Sequence, residues 1–162
     1  MPSANQNESK RQPAALGARN AAAWTSLGWL GIAFILLGLA DIGLGIFPPA
    51  FGNPGWVFGT TSAVLNGFAI PTMGTYLYLG SVVVRGSRTE ASALAALMLV
   101  IAVALVAFGM LHLSVTPVAL DAVRATPDAL LAMRKGIAKA AMLDLAYIVL
   151  YVAGAARAWT SR

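Results

Sequence analysis

Cysteine is absent from this 162-residue chain, histidine occurs once, and Asp and Glu together number only six. The first absence removes disulfides, thiolate metal sites, iron–sulfur ligation and cysteine nucleophiles together, and it leaves the redox compartment undetermined. A single histidine rules out a haem clamped between two imidazoles. Charge of either sign is scarce: 10% of residues are charged and 59% hydrophobic, where soluble domains carry about 25% and about 45–50%. No nucleophile–base pair, phosphate loop or His/Glu metal-ligand spacing is present, so the chain reads as non-enzymatic and metal-free. The net charge of +5 and pI near 10.1 would suggest nucleic acid in a soluble protein. Here the basic residues sit in tails and at helix ends, which points to membrane topology and anionic lipid instead.

What remains is long apolar segments, with a mean hydropathy of +0.75. At about 20 residues per crossing, there is room for four spanning helices, short connections and no separate soluble domain. Residues 1–22 are rich in Ser, Asn, Gln, Pro and Ala and read as a disordered cytoplasmic tail. The apolar run that follows is longer than the 7–15 residues of a signal-peptide core and lacks a small-x-small exit, so it is taken as a retained helix over about 23–47, ended by Pro48 and Pro49. Gly31, Gly38 and Gly45 recur every seven residues and form a stripe where a second helix can approach closely.

The connector that follows has strong turn chemistry. Asn53 before Pro54 is an N-cap and first-turn signature, and Trp56 suits the aromatic belt at the membrane surface. Two readings are open for residues 54–85: one long helix kinked at Pro71, or a short interfacial helix of about 54–66 before a spanning helix of about 68–85. The second is preferred, because some 30 residues exceed one crossing and Gly67 with Pro71 supplies a break. A polar turn from Arg85 to Glu90, where Ser87 or Thr89 can cap, leads to a helix of about 91–115 closed by Pro117. A second interfacial helix is expected over about 118–133, with a helix start at Thr126-Pro127-Asp128. The last span covers about 136–159 and ends at Arg157 and Trp159; Trp24, Trp56 and Trp159 are the interface anchors. The fold class is therefore all-α: residues 23–162 as one integral membrane four-helix bundle with short interfacial helices in its two outer-face connectors.

Basic residues set the orientation. The N-terminal tail, the 85–90 turn and the C-terminal tail hold seven, while the opposite face holds four: Arg124, Arg134, Lys135 and Lys139. The positive-inside rule then places both termini in the cytoplasm, in a bacterial inner membrane. Membrane lipids are the expected partners, with other integral membrane subunits, and no nucleic acid.

Four ionisable residues fall within or beside the spans: Asp41, His112, Lys139 and Asp144. Asp41 lies six residues before the end of its helix, about 9 Å below the surface at 1.5 Å per residue, and the others are expected in the same outer half. An unpaired charge there costs a few kcal/mol or more, so mutual pairing is economical, with Asp41 to Lys139 or His112. The preferred reading is an interhelical clasp with Lys139 snorkelling outward; the functional one is a site for a cation, a proton relay or a polar ligand. Asn66 joins the group only if residues 54–85 are one helix. His112 alone can ligate a haem or a magnesium pigment, with Gly109 leaving space over the ring, but no cofactor is required by the sequence, and a pigment, haem or quinone stays one alternative. Tyr147 and Tyr151, one turn apart on the face of Asp144, can extend a hydrogen-bond chain or simply pack.

The stretch Phe47-Pro48-Pro49, then Asn53-Pro54-Gly55-Trp56, then Pro71 with Gly74 and Leu77, together with Arg134-Lys135-Gly136-Ile137, resembles small bacterial four-helix membrane proteins grouped as HpsJ-like. That resemblance implies the four-helix architecture and an association with cyanobacterial polysaccharide export and motility; it implies no catalytic residues. The leading expectation is an accessory or scaffold subunit of a larger membrane complex. The alternatives are a small transporter or ion or proton pathway through the buried cluster, and pigment, haem or quinone binding at His112.

Overall fold

The computed structural model describes residues 4–161. They form an all-α bundle of α1 (Ala4–Ile46), α2 (Pro54–Gly67), α3 (Ala69–Arg85), α4 (Arg88–Ala122) and α5 (Pro127–Thr160). Four segments are long and apolar enough to cross a membrane: Ala22–Ile46, Pro54–Arg85, Arg88–Ala122 and Pro127–Thr160. The boundaries follow local chemistry. Asn53 Oδ1 accepts hydrogen bonds from the Gly55 and Trp56 amides at 2.9 and 3.3 Å, with Pro54 in the first turn of α2. Gly86 adopts φ +65°, and its N–H donates to the carbonyls of Val82 and Val83, which ends α3. Ser87 Oγ then accepts from the Glu90 amide and opens α4.

Three boundaries differ from those expected. Residues 1–3 of the anticipated tail lie outside the described residues, and from Ala4 the chain is already helical; Ala, Gln, Glu, Lys, Arg and Leu, which dominate residues 4–22, are strong helix formers. Residues 54–66 do not lie apart as an interfacial helix. α2 buries Thr61, Val64 and Leu65 and passes into α3 through Phe68 alone, which keeps near-helical φ −70°, ψ −8°, so α2 and α3 form one broken span. The break sits where Pro71 has no N–H to give the Gly67 carbonyl and its ring crowds that carbonyl. Nor is there a separate helix over 118–133. α4 continues through Pro117 to Ala122, and α5 starts at Pro127. A proline removes one hydrogen bond, here to Leu113. In an apolar surrounding that is cheaper than unwinding, and nearby hydroxyls engage the same stretch, Ser114 donating to the Leu111 carbonyl and Thr116 to that of His112.

α1 packs chiefly on α3, α4 on α5, and α2 on α4. Glycine lets the first pair close. A Cβ at Gly31 would stand 2.6 Å from the Gly74 carbonyl oxygen, one at Gly74 2.8 Å from the Ile35 amide, and one at Gly38 would collide with the Pro71 ring. Gly45, the third member of the stripe, has only Ala63 nearby, at 3.7 Å. Leu65, Val82, Met98, Leu105 and Tyr151 fill the centre of the bundle, while Leu37, Val103, Met142 and Leu145 face outward. Such an outer surface would be a liability in water and matches lipid. Tyr151 and Tyr76 tie α3 to α5: the Tyr151 hydroxyl lies 3.5 and 3.4 Å from those of Thr72 and Thr75, and Tyr76 donates to the Leu150 carbonyl.

Candidate functional site

Helical spacing assembles a cavity between α4 and α5. Gly109, His112 and Leu113 share one face of α4 at i, i+3 and i+4; Ala141, Asp144, Leu145 and Ile148 share one face of α5. With Leu65 of α2 these residues enclose about 140 Å³. His112 is 1% and Asp144 8% exposed, so both polar side chains are withdrawn from the surface.

α2 holds the imidazole. The Phe58 ring stacks on it with centroids 4.8 Å apart and planes at 24°, and Thr61 Oγ1 lies 2.9 Å from Nδ1. Nε2 has no hydrogen-bond partner. Across the cavity, Asp144 Oδ2 sits against Gly109, in the space a side chain would occupy, and Oδ1 is buried without a partner. The room beside Gly109 that the sequence offered to a pigment or haem ring is thus taken by a carboxylate. The remaining space is below the about 300–1,000 Å³ of ordinary small-molecule pockets, too small for a macrocycle. Among the described residues, no three His, Asp or Glu side chains converge as metal ligands.

Of the four ionisable residues singled out in the sequence, the fold brings together His112 and Asp144. Lys139 is exposed: five residues from Asp144 is about 500°, or some 140° around the helix, which turns it away from the cavity. Asp41 is exposed too. Its helix touches α2 and α3, and among the described residues it has no contact with α4 or α5, so the anticipated pairing of Asp41 with Lys139 or His112 is not made. The ion pairs among the described residues are Arg85–Glu90 at 2.6 Å and Arg124–Asp121 at 3.8 Å, both away from the cavity. Asn66 points outward and donates to the Ser62 carbonyl within its own helix. Tyr147 is buried beside Phe68, and Tyr151 is engaged with α3.

Phe58 and Thr61 are the residues sequence reasoning missed. Thr60-Thr61-Ser62 is a visible polar patch, but a helix read as lying flat on the surface gives it no buried partner.

Two buried, unpartnered polar atoms on side chains that line one small cavity are costly. Each buried orphan carries a desolvation penalty of about 1–3 kcal/mol, more where it is charged. No protein-family model, no curated protein and no solved structure matches this chain.

Proposed function

We propose that this is a non-enzymatic multi-pass protein of the bacterial inner membrane, with both termini cytoplasmic, that binds or passes a cation or proton at His112 and Asp144. The observation that carries this reading is that two buried polar side chains, His112 and Asp144, line one cavity, with Nε2 of the first and Oδ1 of the second unpartnered. An interhelical clasp would join the two side chains to each other. Instead Nε2 and Oδ1 stay unpartnered, and the side-chain hydrogen bonds that link helices run from Thr61 to His112 Nδ1, between α2 and α4, and through Tyr76 and Tyr151, between α3 and α5.

The competing reading, an accessory subunit of a larger complex, drew on small-residue surface. Much of that surface is spent within the chain, where Gly28, Gly31, Gly38 and Gly74 meet in the α1–α3 seam and Gly154 receives Met98. The HpsJ-like resemblance is consistent with either role.

The test is cation- or proton-driven flux in proteoliposomes. Asp144→Asn keeps the shape and removes the charge, and should abolish flux while thermal unfolding stays close to that of the unaltered protein. A variant as active as the parent, or a parent with no flux under any cation or pH gradient, overturns the proposal.

A further inference from the structure

Asp41 and Lys139 take no part in the cavity. Both are exposed, and among the described residues neither has a hydrogen bond or an ion pair. They cannot meet within one chain, because α1 contacts α2 and α3 and, among the described residues, not α5. Asp41 stands between Leu37, one turn before it, and Leu44, one turn after, which are 59% and 77% exposed. Lys139 stands one turn before Met142, which is 73% exposed. Each polar side chain is thus set in an apolar patch of the surface that matches lipid.

The two also lie at nearly one depth. Four crossings return the chain to its starting side, so Trp24 on the first span and Trp159 on the last mark the same membrane face. Asp41 is 17 residues along α1 from Trp24, and Lys139 is 20 along α5 from Trp159, which is about 25 and about 30 Å at 1.5 Å per residue. The difference of about 5 Å is within reach of lysine's four-carbon stem. Lys135, Arg134 and Arg124, the other basic residues of that face, lie a turn or more farther out, so Lys139 is the cation at the level of Asp41.

A carboxyl among acyl chains, ionised or protonated, leaves its oxygens without donors, and polar groups in spans characteristically turn to a partner. α1 is the least buried of the four spans, so the flank that carries Asp41 has room for another helix. We infer that a second copy of this chain docks against α1 and sets its Lys139 ammonium on the Asp41 carboxyl group. The contact joins two different patches, and every copy carries both halves of it.

The test counts copies by single-molecule photobleaching of the full chain, one dye on each, in phosphatidylglycerol–phosphatidylethanolamine vesicles at low protein density. The parent should bleach in two or more steps. Asp41→Lys alone and Lys139→Asp alone each set like charges together and should weaken self-association at least about tenfold. An equal mixture of the two variants restores opposite charges only between copies, and should assemble as the parent does. Carbodiimide coupling of the parent, in an equal mixture of ¹⁴N- and ¹⁵N-labelled copies, should yield an amide between residues 41 and 139 whose two halves carry different labels.

A parent that bleaches in one step, a single variant that assembles as well as the parent, a mixture that stays apart, or a coupled product without mixed labels overturns the inference. The coupling uses the unaltered chain, so it decides the matter even if a variant fails to fold. None of these readouts is ion flux, and the inference stands or falls apart from the proposed function.

Discussion

Alanine at position 31 sets two opposing effects against each other within one helix. Alanine is favoured over glycine in a helix interior by about 0.8–1.0 kcal/mol. At position 31, however, its methyl would lie 2.6 Å from the Gly74 carbonyl oxygen and 2.8 Å from the Tyr78 amide nitrogen, where ordinary contact begins at 3.4 Å. Both neighbours are backbone and cannot swing aside, so α1 and α3 must separate by roughly 0.8 Å, and a gap of that size forfeits about a quarter to a half of each contact's attraction. Overpacking of this kind costs about 1–3 kcal/mol, leaving a net loss of up to about 2 kcal/mol after the propensity gain. Gly43, on the same helix, has nothing within 4 Å of its would-be Cβ, so Gly43→Ala should keep most of the gain. Reversible unfolding by dodecyl sulfate in mixed micelles would then place Gly31→Ala below Gly43→Ala by about 1–3 kcal/mol. Gly74→Ala added to Gly31→Ala should cost less than it does alone, because the seam is already open. A Gly31→Ala protein as stable as Gly43→Ala would refute the close approach of α1 and α3.

Three further substitutions probe the site and the helix starts. Thr61→Val leaves His112 Nδ1 buried without its hydrogen-bond partner and should cost about 1–3 kcal/mol in the same titration, with Thr61→Ser recovering most of it. Asn53→Ala removes the cap on α2 and should cost about 1 kcal/mol, visible as a lower unfolding midpoint, whereas Asn53→Asp should be nearly neutral. Glu90→Gln breaks the pair with Arg85, whose side chains are each about one-third exposed; the expected loss is below about 1 kcal/mol and shrinks as salt is added.

The spans were legible from composition and length, and so were the starts at Asn53, Ser87 and Pro127, because capping is decided by a few adjacent residues. Pro71 and Pro117 were harder. Both look alike as helix breakers, yet one contributes to an actual break after Gly67 and the other sits inside a continuous helix. The four ionisable residues were visible as a group by depth alone. Depth says nothing of rotation about the helix axis, and rotation separates Lys139 from Asp144. Which helices touch was equally hidden: Asp41 was a plausible partner until α1 proved to lie against α3, out of reach of α4 and α5. Thr61 and Phe58 could not be found without knowing that α2 packs on α4.

The pairing of α1 with α3 and of α4 with α5 also has a bearing on biogenesis. Each pair joins spans that are consecutive in the chain, so the first can close its glycine seam while the remainder is still being synthesised. The cavity has no such head start, because Thr61, which holds the imidazole, comes from α2 in the second span, His112 from the third span and Asp144 from the last. Between the insertion of α4 and the arrival of α5, Gly109 faces a vacant flank, and His112 and Asp144 come to line one cavity only with the final membrane crossing.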